Sequence, residues 1–269
     1  MIYIGPAGVP LRAKGQGTVR GVEAVAELGL NAMEVQFVRG VWMKPEQAEK
    51  ARRVALKRGV KLSVHAPYYI NFCSSRREIV RKSRERLERS ADIAKVLGSD
   101  VVTFHAGFYG SYNSEEATSA VIENLKKTKF PQGVNAGIET MGRQKQFGTL
   151  DEVLAVADAT EHRPVLDFAH IHARGYGCLR KKDDFLEVLK KVKRTLGADV
   201  IKNIHTHFTG IEYSKGNERK HLTLEEGDLK FEPLAQAFVE MKLEPTVICE
   251  SPILEEDALR MMEIAKKLA

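Results

Sequence analysis

Histidines and carboxylates stand at the ends of apolar segments throughout this sequence. One such segment, residues 60–64, runs into His65, and another, residues 101–104, runs into His105. Later apolar segments end on Glu139, Asp167, His205, His207 and Glu250. Imidazole and carboxylate side chains bind divalent metal ions and also act as general acids and bases. A fold that gathers these segment ends at one place would give them a shared chemistry.

Helical patterns alternate with the apolar segments along the whole chain. The predicted strands are residues 2–5, 32–37, 60–65, 100–105, 134–139, 164–167, 200–207 and 246–250. The predicted helices are residues 20–28, 44–58, 76–97, 114–127, 149–159, 182–196, 231–241 and 254–268. Eight strands that are apolar on both faces, each followed by a helix, are typical of parallel βαβ units. Residues 1–269 are therefore predicted to form one domain of the α/β class, a single (β/α)8 TIM barrel with eight parallel strands.

Two helix starts are predicted from capping residues. Ser114 is the expected N-cap of the helix at 114–127, which carries acidic residues in its first turn. The stretch from Thr149 to Glu152 has the spacing of a capping box, so a helix should begin there.

A barrel would bring the histidines and carboxylates to one rim, because its strands all end on the same face. Six successive strands, the third to the eighth, then deliver imidazole or carboxylate to that rim. Any one of these side chains alone is more often a hydrogen-bonded rim residue. Together they would be costly to desolvate without a counter-charge, which metal cations supply. The mixed ligand set suits zinc, and manganese or iron less specifically, and its size indicates more than one metal ion.

Two loop histidines extend the candidate ligand set. His170 follows Asp167 by three residues, so both can face one site if the chain turns helical there. His221 lies in the long loop after the seventh strand. The loop could return it to the rim or leave it solvated, and the residues alone do not decide between these positions.

Composition sets broader limits on the function. The three cysteines, Cys73, Cys178 and Cys249, are odd in number and far apart, so we expect no disulfide framework and a reducing, cytoplasmic compartment. No apolar run is long enough to span a bilayer, and we expect no membrane partner. The net charge of +6 and the pI of about 9.1 are compatible with an anionic partner such as nucleic acid.

Several short motifs resemble the endonuclease IV family of xylose isomerase-like barrels, whose members repair abasic sites in DNA. The resemblance runs in order over nearly the whole chain, and its specificity lies in the combination. The motifs are His65-Ala66-Pro67-Tyr68 with Ile70-Asn71, Phe104-His105-Ala106-Gly107, Ile138-Glu139-Thr140, Asp167-Phe168-Ala169-His170 with Gly175-Tyr176, and Cys249-Glu250-Ser251.

The resemblance implies three zinc ions and a ligand set for each. His65, His105 and Glu139 match the ligands of the first ion. The second ion would share Glu139 and add Asp167, Glu250 and a histidine of the seventh strand, and either His205 or His207 can be aligned with that histidine. His170 and His221 match two ligands of the third ion. The family has an Asp-Arg-His stretch where this chain reads Arg219-Lys220-His221, so the third ion lacks its aspartate, and Glu218 is the candidate replacement.

The implied reaction is hydrolysis of the phosphodiester on the 5′ side of an abasic nucleotide in double-stranded DNA. Glu139 would orient the bridged pair of metal ions, and Glu250 would position the nucleophile. Tyr68 matches a family residue that enters the minor groove beside the lesion, and Arg39 resembles one that fills the gap in the base stack. We expect a monomer that acts on DNA of the nucleoid.

Two other functions remain open at the level of sequence. Sugar isomerases or epimerases of the same barrel type hold one metal ion with Glu, Asp, His and Glu at strand ends, whereas His65, His105 and His170 favour a site with several ions. The third site lacks its aspartate, so a second alternative is a non-catalytic homologue that binds damaged DNA.

Overall fold

The eight predicted barrel strands are present and form one parallel sheet. The computed structural model describes residues 1–268. Its strands are β1 (Tyr3–Pro6), β2 (Ala32–Gln36), β3 (Lys61–His65), β4 (Val101–Phe104), β5 (Asn135–Glu139), β6 (Arg163–Asp167), β7 (His205–Phe208), β8 (Gly210–Ser214), β9 (Asn217–Leu222) and β10 (Thr246–Cys249). The order in the sheet is β1-β10-β7-β6-β5-β4-β3-β2, and β8 pairs with β9 outside it.

Helices cover the outside of the strand ring and complete a (β/α)8 TIM barrel, as the alternation of segments predicted. They are α1 (Gly17–Glu27), α2 (Pro45–Arg58), α3 (Arg77–Leu97), α4 (Ser114–Lys126), α5 (Leu150–Thr160), α6 (Phe168–Arg174), α7 (Lys182–Leu196), α8 (Ala198–Lys202), α9 (Phe231–Glu240) and α10 (Glu255–Leu268), after a 3₁₀ turn at Leu11–Ala13. The main hydrophobic core lies between strands and helices, and Phe104, Phe168, Phe208 and Phe238 are fully buried in it. Each such ring contributes about 1.5–3 kcal/mol by leaving water.

The ring nearly closes where β1 meets β2. The amide of Ile4 donates to Asn31 Oδ1 at 2.7 Å, and Ala7 forms an isolated parallel bridge with Glu34. Gly5 allows this approach, because a Cβ atom there would lie 1.5 Å from the carbonyl oxygen of Ala32. Any larger residue at this position would force the two strands apart.

Two local predictions were wrong. Asn113, not Ser114, caps α4, because its side chain accepts the amide of Glu116 at 2.9 Å while Glu116 reaches back to the amide of Asn113. The seventh strand starts at His205 rather than at residue 200, because residues 198–202 form the short helix α8. The capping box at Thr149 is confirmed.

The loop expected after the seventh strand is an ordered antiparallel hairpin, β8–β9. Tyr213 on β8 donates its hydroxyl to Asp228 at 2.9 Å, and Asp228 also lies 3.2 Å from His172 of α6. These contacts hold the hairpin over the rim of the barrel. Across residues 1–268, no helix combines the length and the apolar character that crossing a membrane requires.

Candidate metal centre

The candidate ligands lie together at the carboxyl ends of the barrel strands. Parallel strands end on the same face, so each side chain needs only a position at the end of its own strand to join the group. Across residues 1–268, four groups of ligand atoms lie within 4.8 Å of one another, and three of them surround this rim: His65, His105 and Glu139; Glu139, Asp167, His207 and Glu250; and His170, Glu218 and His221.

The first cluster joins β3, β4 and β5. Nε2 of His65 lies 3.3 Å from Oε2 of Glu139, and Nε2 of His105 lies 2.9 Å from the same oxygen. Both histidines therefore turn one nitrogen toward a single carboxylate oxygen. Two imidazole nitrogens and a carboxylate oxygen are a common donor set for zinc.

The second cluster shares Glu139 with the first. Nδ1 of His207 lies 3.2 Å from Oε1 of Glu139 and 3.6 Å from Oε1 of Glu250. Asp167 is fully buried, and its Oδ2 accepts no hydrogen bond, although Nδ1 of His170 lies 3.3 Å from it. A buried carboxylate oxygen without a hydrogen bond is costly unless a cation lies close to it. The donor set and this buried oxygen without a hydrogen bond both fit a metal ion at the second cluster.

The third cluster combines α6 with the β8–β9 hairpin. Asp167 caps α6 by accepting the amide of His170 at 2.8 Å, which turns His170 toward the rim. Nε2 of His170 lies 3.5 Å from Oε2 of Glu218, and Nε2 of His221 lies 3.8 Å from Oε1. Glu218 thus lies beside both histidines, and the hairpin brings His221 to the rim.

Hydrogen bonds to backbone carbonyls set the orientation of three of these histidines. Nδ1 of His65 lies 2.7 Å from the oxygen of Ala66, and Nδ1 of His170 lies 2.9 Å from that of Thr140. Nδ1 of His221 lies 3.1 Å from the carbonyl oxygen of Glu250. A carbonyl only accepts, so each ring in its neutral form carries its proton on Nδ1 and its lone pair on Nε2, where a metal ion can bind.

The structure separates the two histidines of β7. His207 joins the second cluster, whereas His205 points to Glu34, with Nε2 3.0 Å from its Oε2. Glu34 also lies 3.2 Å from Nε2 of His207, and these three residues make a further buried cluster. The sequence interpretation missed Glu34 because a single carboxylate inside an apolar strand carries no motif.

Without a cation, protons on histidines balance the buried carboxylates. Burial favours a neutral Glu139, but His105 and His207 hold the pKa of this carboxyl well below its usual range. Burial favours a neutral ring at His170, yet Asp167, Glu139 and other carboxylates raise the pKa of His170 to about 9. The pKa of His207 also lies well above its usual range, since Glu34, Glu250 and Glu139 outweigh burial. Metal binding would replace these protons as the source of positive charge.

The pKa of Asp167 is raised, in contrast to that of Glu139. Burial, followed by the charges of Glu250 and Glu139, raises the pKa of Asp167 although His170 opposes the shift. A buried carboxyl that is hard to ionise by itself becomes a good ligand when a cation is present.

An open cavity of about 330 Å³ leads to the clusters from solvent. Arg143 lines it, with Nε 3.7 Å from Oε2 of Glu218 and its carbonyl oxygen fixed by Arg174 at 2.8 Å. The cavity is also lined by Tyr68, His105, Met141, Gln146, His170, Glu218, His221 and Glu250. Met141, Arg143 and Gln146 did not emerge from the sequence, because they follow β5 in a loop without a recognisable pattern.

Of the two residues predicted to contact DNA, Tyr68 lines this cavity and Arg39 lies on a loop bonded to that of Tyr68. Tyr68 is 47% exposed, and its ring stacks on His105 with centroids 5.3 Å apart. Arg39 is exposed on the loop after β2, and the amide of Tyr68 donates to Val38 of that loop at 3.2 Å. The two side chains therefore project from neighbouring, connected loops.

Other candidate groups lie outside the centre. Cys249 precedes Glu250 but is buried in the hydrophobic core, where burial raises the pKa of its thiol to about 12. His162 accepts the amide of Ala136 at 3.4 Å, away from the rim. His172 is fully buried and contacts Asp228 instead of the metal clusters.

Comparisons with known proteins identify the family of this chain. The family model described as the xylose isomerase-like TIM barrel matches residues 22–268. An uncharacterized protein of Methanocaldococcus jannaschii is 35% identical over 273 residues, which cover 100% of this chain and 98% of that protein. A probable endonuclease 4 of Natranaerobius thermophilus is 26% identical over 251 residues, 88% of each protein.

Two solved structures share the fold. Endonuclease IV from Thermus thermophilus superposes with a TM-score of 0.78 at 21% identity, over 100% of this chain and 98% of that one. A D-tagatose 3-epimerase-like protein superposes with a TM-score of 0.68, also at 21% identity, over 91% of each chain. The motifs, the fold and the family model lead to one conclusion: this chain belongs to the xylose isomerase-like TIM barrel family and is related to its endonuclease IV branch.

Proposed function

We propose that this protein is a metal-dependent DNA repair endonuclease that hydrolyses the phosphodiester on the 5′ side of an abasic nucleotide. The observation that carries the proposal is the set of three ligand clusters on one rim, two of which share Glu139. Zinc fits the imidazole and carboxylate donors, and manganese or iron would fit them less specifically.

The chain supplies position and charge for this reaction. Metal ions bound at such a centre provide hydroxide at neutral pH and neutralise charge on the phosphate and on the leaving oxygen. Glu139 is the catalytic residue that links two clusters, since its Oε2 faces His105 and its Oε1 faces His207. Glu250 borders the cavity and the second cluster, where its carboxylate can orient the attacking water. Water adds to phosphorus, the bond to the 3′ oxygen breaks, and that oxygen leaves as a 3′-hydroxyl.

An abasic site suits the surface beside the centre. Tyr68 offers an exposed aromatic ring at the cavity edge, and Arg39 a cation on the adjoining loop. Inserting a wedge costs least where a base is already missing from the stack. The basic helix α3 is a weaker candidate for phosphate contacts, because Arg81 and Lys82 pair with Glu85 and Glu78 on the same helix.

A sugar isomerase or epimerase is the second candidate function. The second cluster alone, with two glutamates, an aspartate and a histidine, would hold the single metal ion that such a reaction needs. The fold similarity to a D-tagatose 3-epimerase-like protein supports this candidate. Against it, the first and third clusters add four histidines around the same cavity, and a one-metal isomerase has no use for them.

A nicking assay tests the proposal. The substrate is a labelled duplex with one tetrahydrofuran abasic analogue, and the expected product carries a 3′-hydroxyl immediately before the lesion. Cleavage should disappear with EDTA and return with zinc, and an undamaged duplex should stay intact. His65→Gln should abolish nicking, whereas His162→Gln, a histidine change away from the rim, should not.

Two results would contradict the proposal. Tight binding of the abasic duplex without nicking in the metal-loaded protein would select a non-catalytic damage-binding homologue. Epimerisation of ketohexoses by the metal-loaded protein, without nicking, would select the sugar enzyme.

A further inference from the structure

Glu34 is a buried carboxylate inside the barrel that no ligand cluster of the rim requires. It lies in β2 between Met33 and Val35, which both belong to the outer hydrophobic core. Successive side chains of a strand point to opposite faces, so Glu34 points into the barrel. Its side chain is fully buried. A buried charge of this kind needs several donors around it.

Five side chains supply these donors. Ser63 and Thr103 approach Oε2 of Glu34 at 3.2 and 3.3 Å, and Gln36 donates to Oε1 at 2.9 Å. His205 reaches Oε2 at 3.0 Å, and His207 reaches Oε1 at 3.2 Å. A carboxylate has about four lone-pair positions, so Glu34 is saturated with hydrogen bonds.

His207 differs from the other oriented histidines of the centre. His65, His170 and His221 turn Nδ1 to a backbone carbonyl and Nε2 to the metal clusters. His207 is reversed: its Nδ1 faces Glu139 and Glu250, and its Nε2 faces Glu34. A reversed ring needs a different acceptor, and Glu34 is that acceptor.

The tautomer of His207 follows from this contact. A neutral imidazole carries one proton and one lone pair, on different nitrogens. A carboxylate at Nε2 keeps the proton there, so the lone pair of Nδ1 is directed at the second cluster. His205 starts the same strand two residues earlier, on the same face, and its Nε2 lies 3.0 Å from Oε2 of Glu34.

We propose that Glu34, held by His205, is a positioning residue that fixes the ring and tautomer of His207 for the metal ion of the second cluster. Glu34 and His205 are then not ligands, although with His207 their atoms lie close enough to hold a cation of their own. The donors from Ser63, Thr103 and Gln36 already occupy the oxygens that such a cation would need. The inference rests on the metal centre of the proposed function, but not on DNA cleavage.

Cadmium-113 NMR of the full chain tests this role without DNA. The unmodified protein, loaded with ¹¹³Cd²⁺, should give three resonances. In Glu34→Gln, the resonance of the second cluster should shift or vanish. The cadmium affinity of that cluster should fall about 10–100-fold, as expected when the partner of a ligating histidine is lost. The other two resonances should stay in place.

Glu152→Gln is the matched control. Glu152 is also a buried carboxylate, and it accepts from Tyr109, Ser114 and two backbone amides outside the metal clusters. This change should leave all three resonances unmoved. If Glu34→Gln does not fold, the tautomer of His207 can be measured in the unmodified, cadmium-loaded protein by long-range ¹H–¹⁵N correlation of its histidines. This spectrum should place the proton of His207 on Nε2.

Several outcomes would overturn the inference. Three unchanged resonances in folded Glu34→Gln would do so, as would a proton on Nδ1 of His207. A fourth resonance that Glu34→Gln removes would show a cation site in place of a positioning contact. No resonance at all in the unmodified protein would overturn the metal centre together with this inference. Three resonances without DNA cleavage would overturn the proposed reaction alone.

Discussion

Metal affinity of the third cluster should rise steeply with pH. His170 is the reason, because the carboxylates around it raise its pKa to about 9 against a usual 6.5, in spite of its burial. Its Nδ1 proton is bound to the carbonyl of Thr140, so the extra proton of the charged ring sits on Nε2. Nε2 is the atom that faces Glu218, and a metal ion must displace that proton to bind there.

The size of the effect follows from the pKa. If His170 must lose a proton with a pKa of about 9, the apparent metal affinity at pH 7 is about 100-fold weaker than that of the deprotonated site. The apparent affinity should therefore rise about 50-fold between pH 7 and pH 9. A histidine with the usual pKa of 6.5 would give less than about a twofold change over the same interval.

The stability of the metal-free protein should change in the opposite direction. A pKa raised in the folded state stabilises the protein while both states are protonated, below about pH 6.5. That stabilisation, about 3 kcal/mol for a shift from 6.5 to about 9, is lost as pH rises through about 9. The metal-free protein should therefore melt at a lower temperature at pH 9 than at pH 6.5.

Competition with a chromogenic chelator, corrected for the chelator's own protonation, measures the affinity at each pH. Asp167→Asn removes the carboxylate that raises the pKa of His170 most, so it should flatten the pH dependence of the third site. A pH-independent affinity at the third site of the unmodified protein between pH 7 and pH 9 would refute the electrostatic reasoning.

Three further changes test other parts of the centre. Glu139→Gln should remove two of three bound metal ions, since its carboxylate serves two clusters, and should abolish nicking while circular dichroism stays unchanged; three retained ions in metal analysis would contradict the shared ligand. Gly142→Ala should weaken the third ion at least tenfold in chelator competition, because the new Cβ would lie 2.9 Å from both Glu218 and His170; unchanged affinity would mean that these side chains do not need their present places. Tyr68→Ala should raise the KM for the abasic duplex about tenfold, because one stacking contact is lost, and should lower kcat less than that. An unchanged KM in steady-state kinetics would show that Tyr68 does not contribute to DNA binding.

The side chains that gather at the rim could be predicted from sequence, because the position of a residue along its strand decides whether it lies there. A residue such as His65 or Glu139 that ends an apolar strand reaches the carboxyl-terminal face whatever the helices do. The exact bounds of strands and helices could not be predicted as well. Residues 198–202 are helical although they continue into the strand by composition, and the cap of α4 depends on a reciprocal contact between Asn113 and Glu116.

The choice between His205 and His207 could not be made from sequence, because both point into the barrel with a period of two. The structure places His205 at the start of β7 and His207 two residues nearer the rim, where the other candidate ligands lie. Glu34 was missed for a related reason. Its partners Ser63, Thr103 and His207 come from distant parts of the chain, and only the closed barrel brings them together.

Three metal ions on one rim are the basis of the proposed function. Anomalous diffraction at the zinc edge, from crystals of the zinc-loaded protein, would locate them directly. We predict three peaks, one at each rim cluster, with Glu139 contacting two of the ions. A single peak at Glu139, Asp167, His207 and Glu250, with the other two clusters empty in excess zinc, would contradict the account.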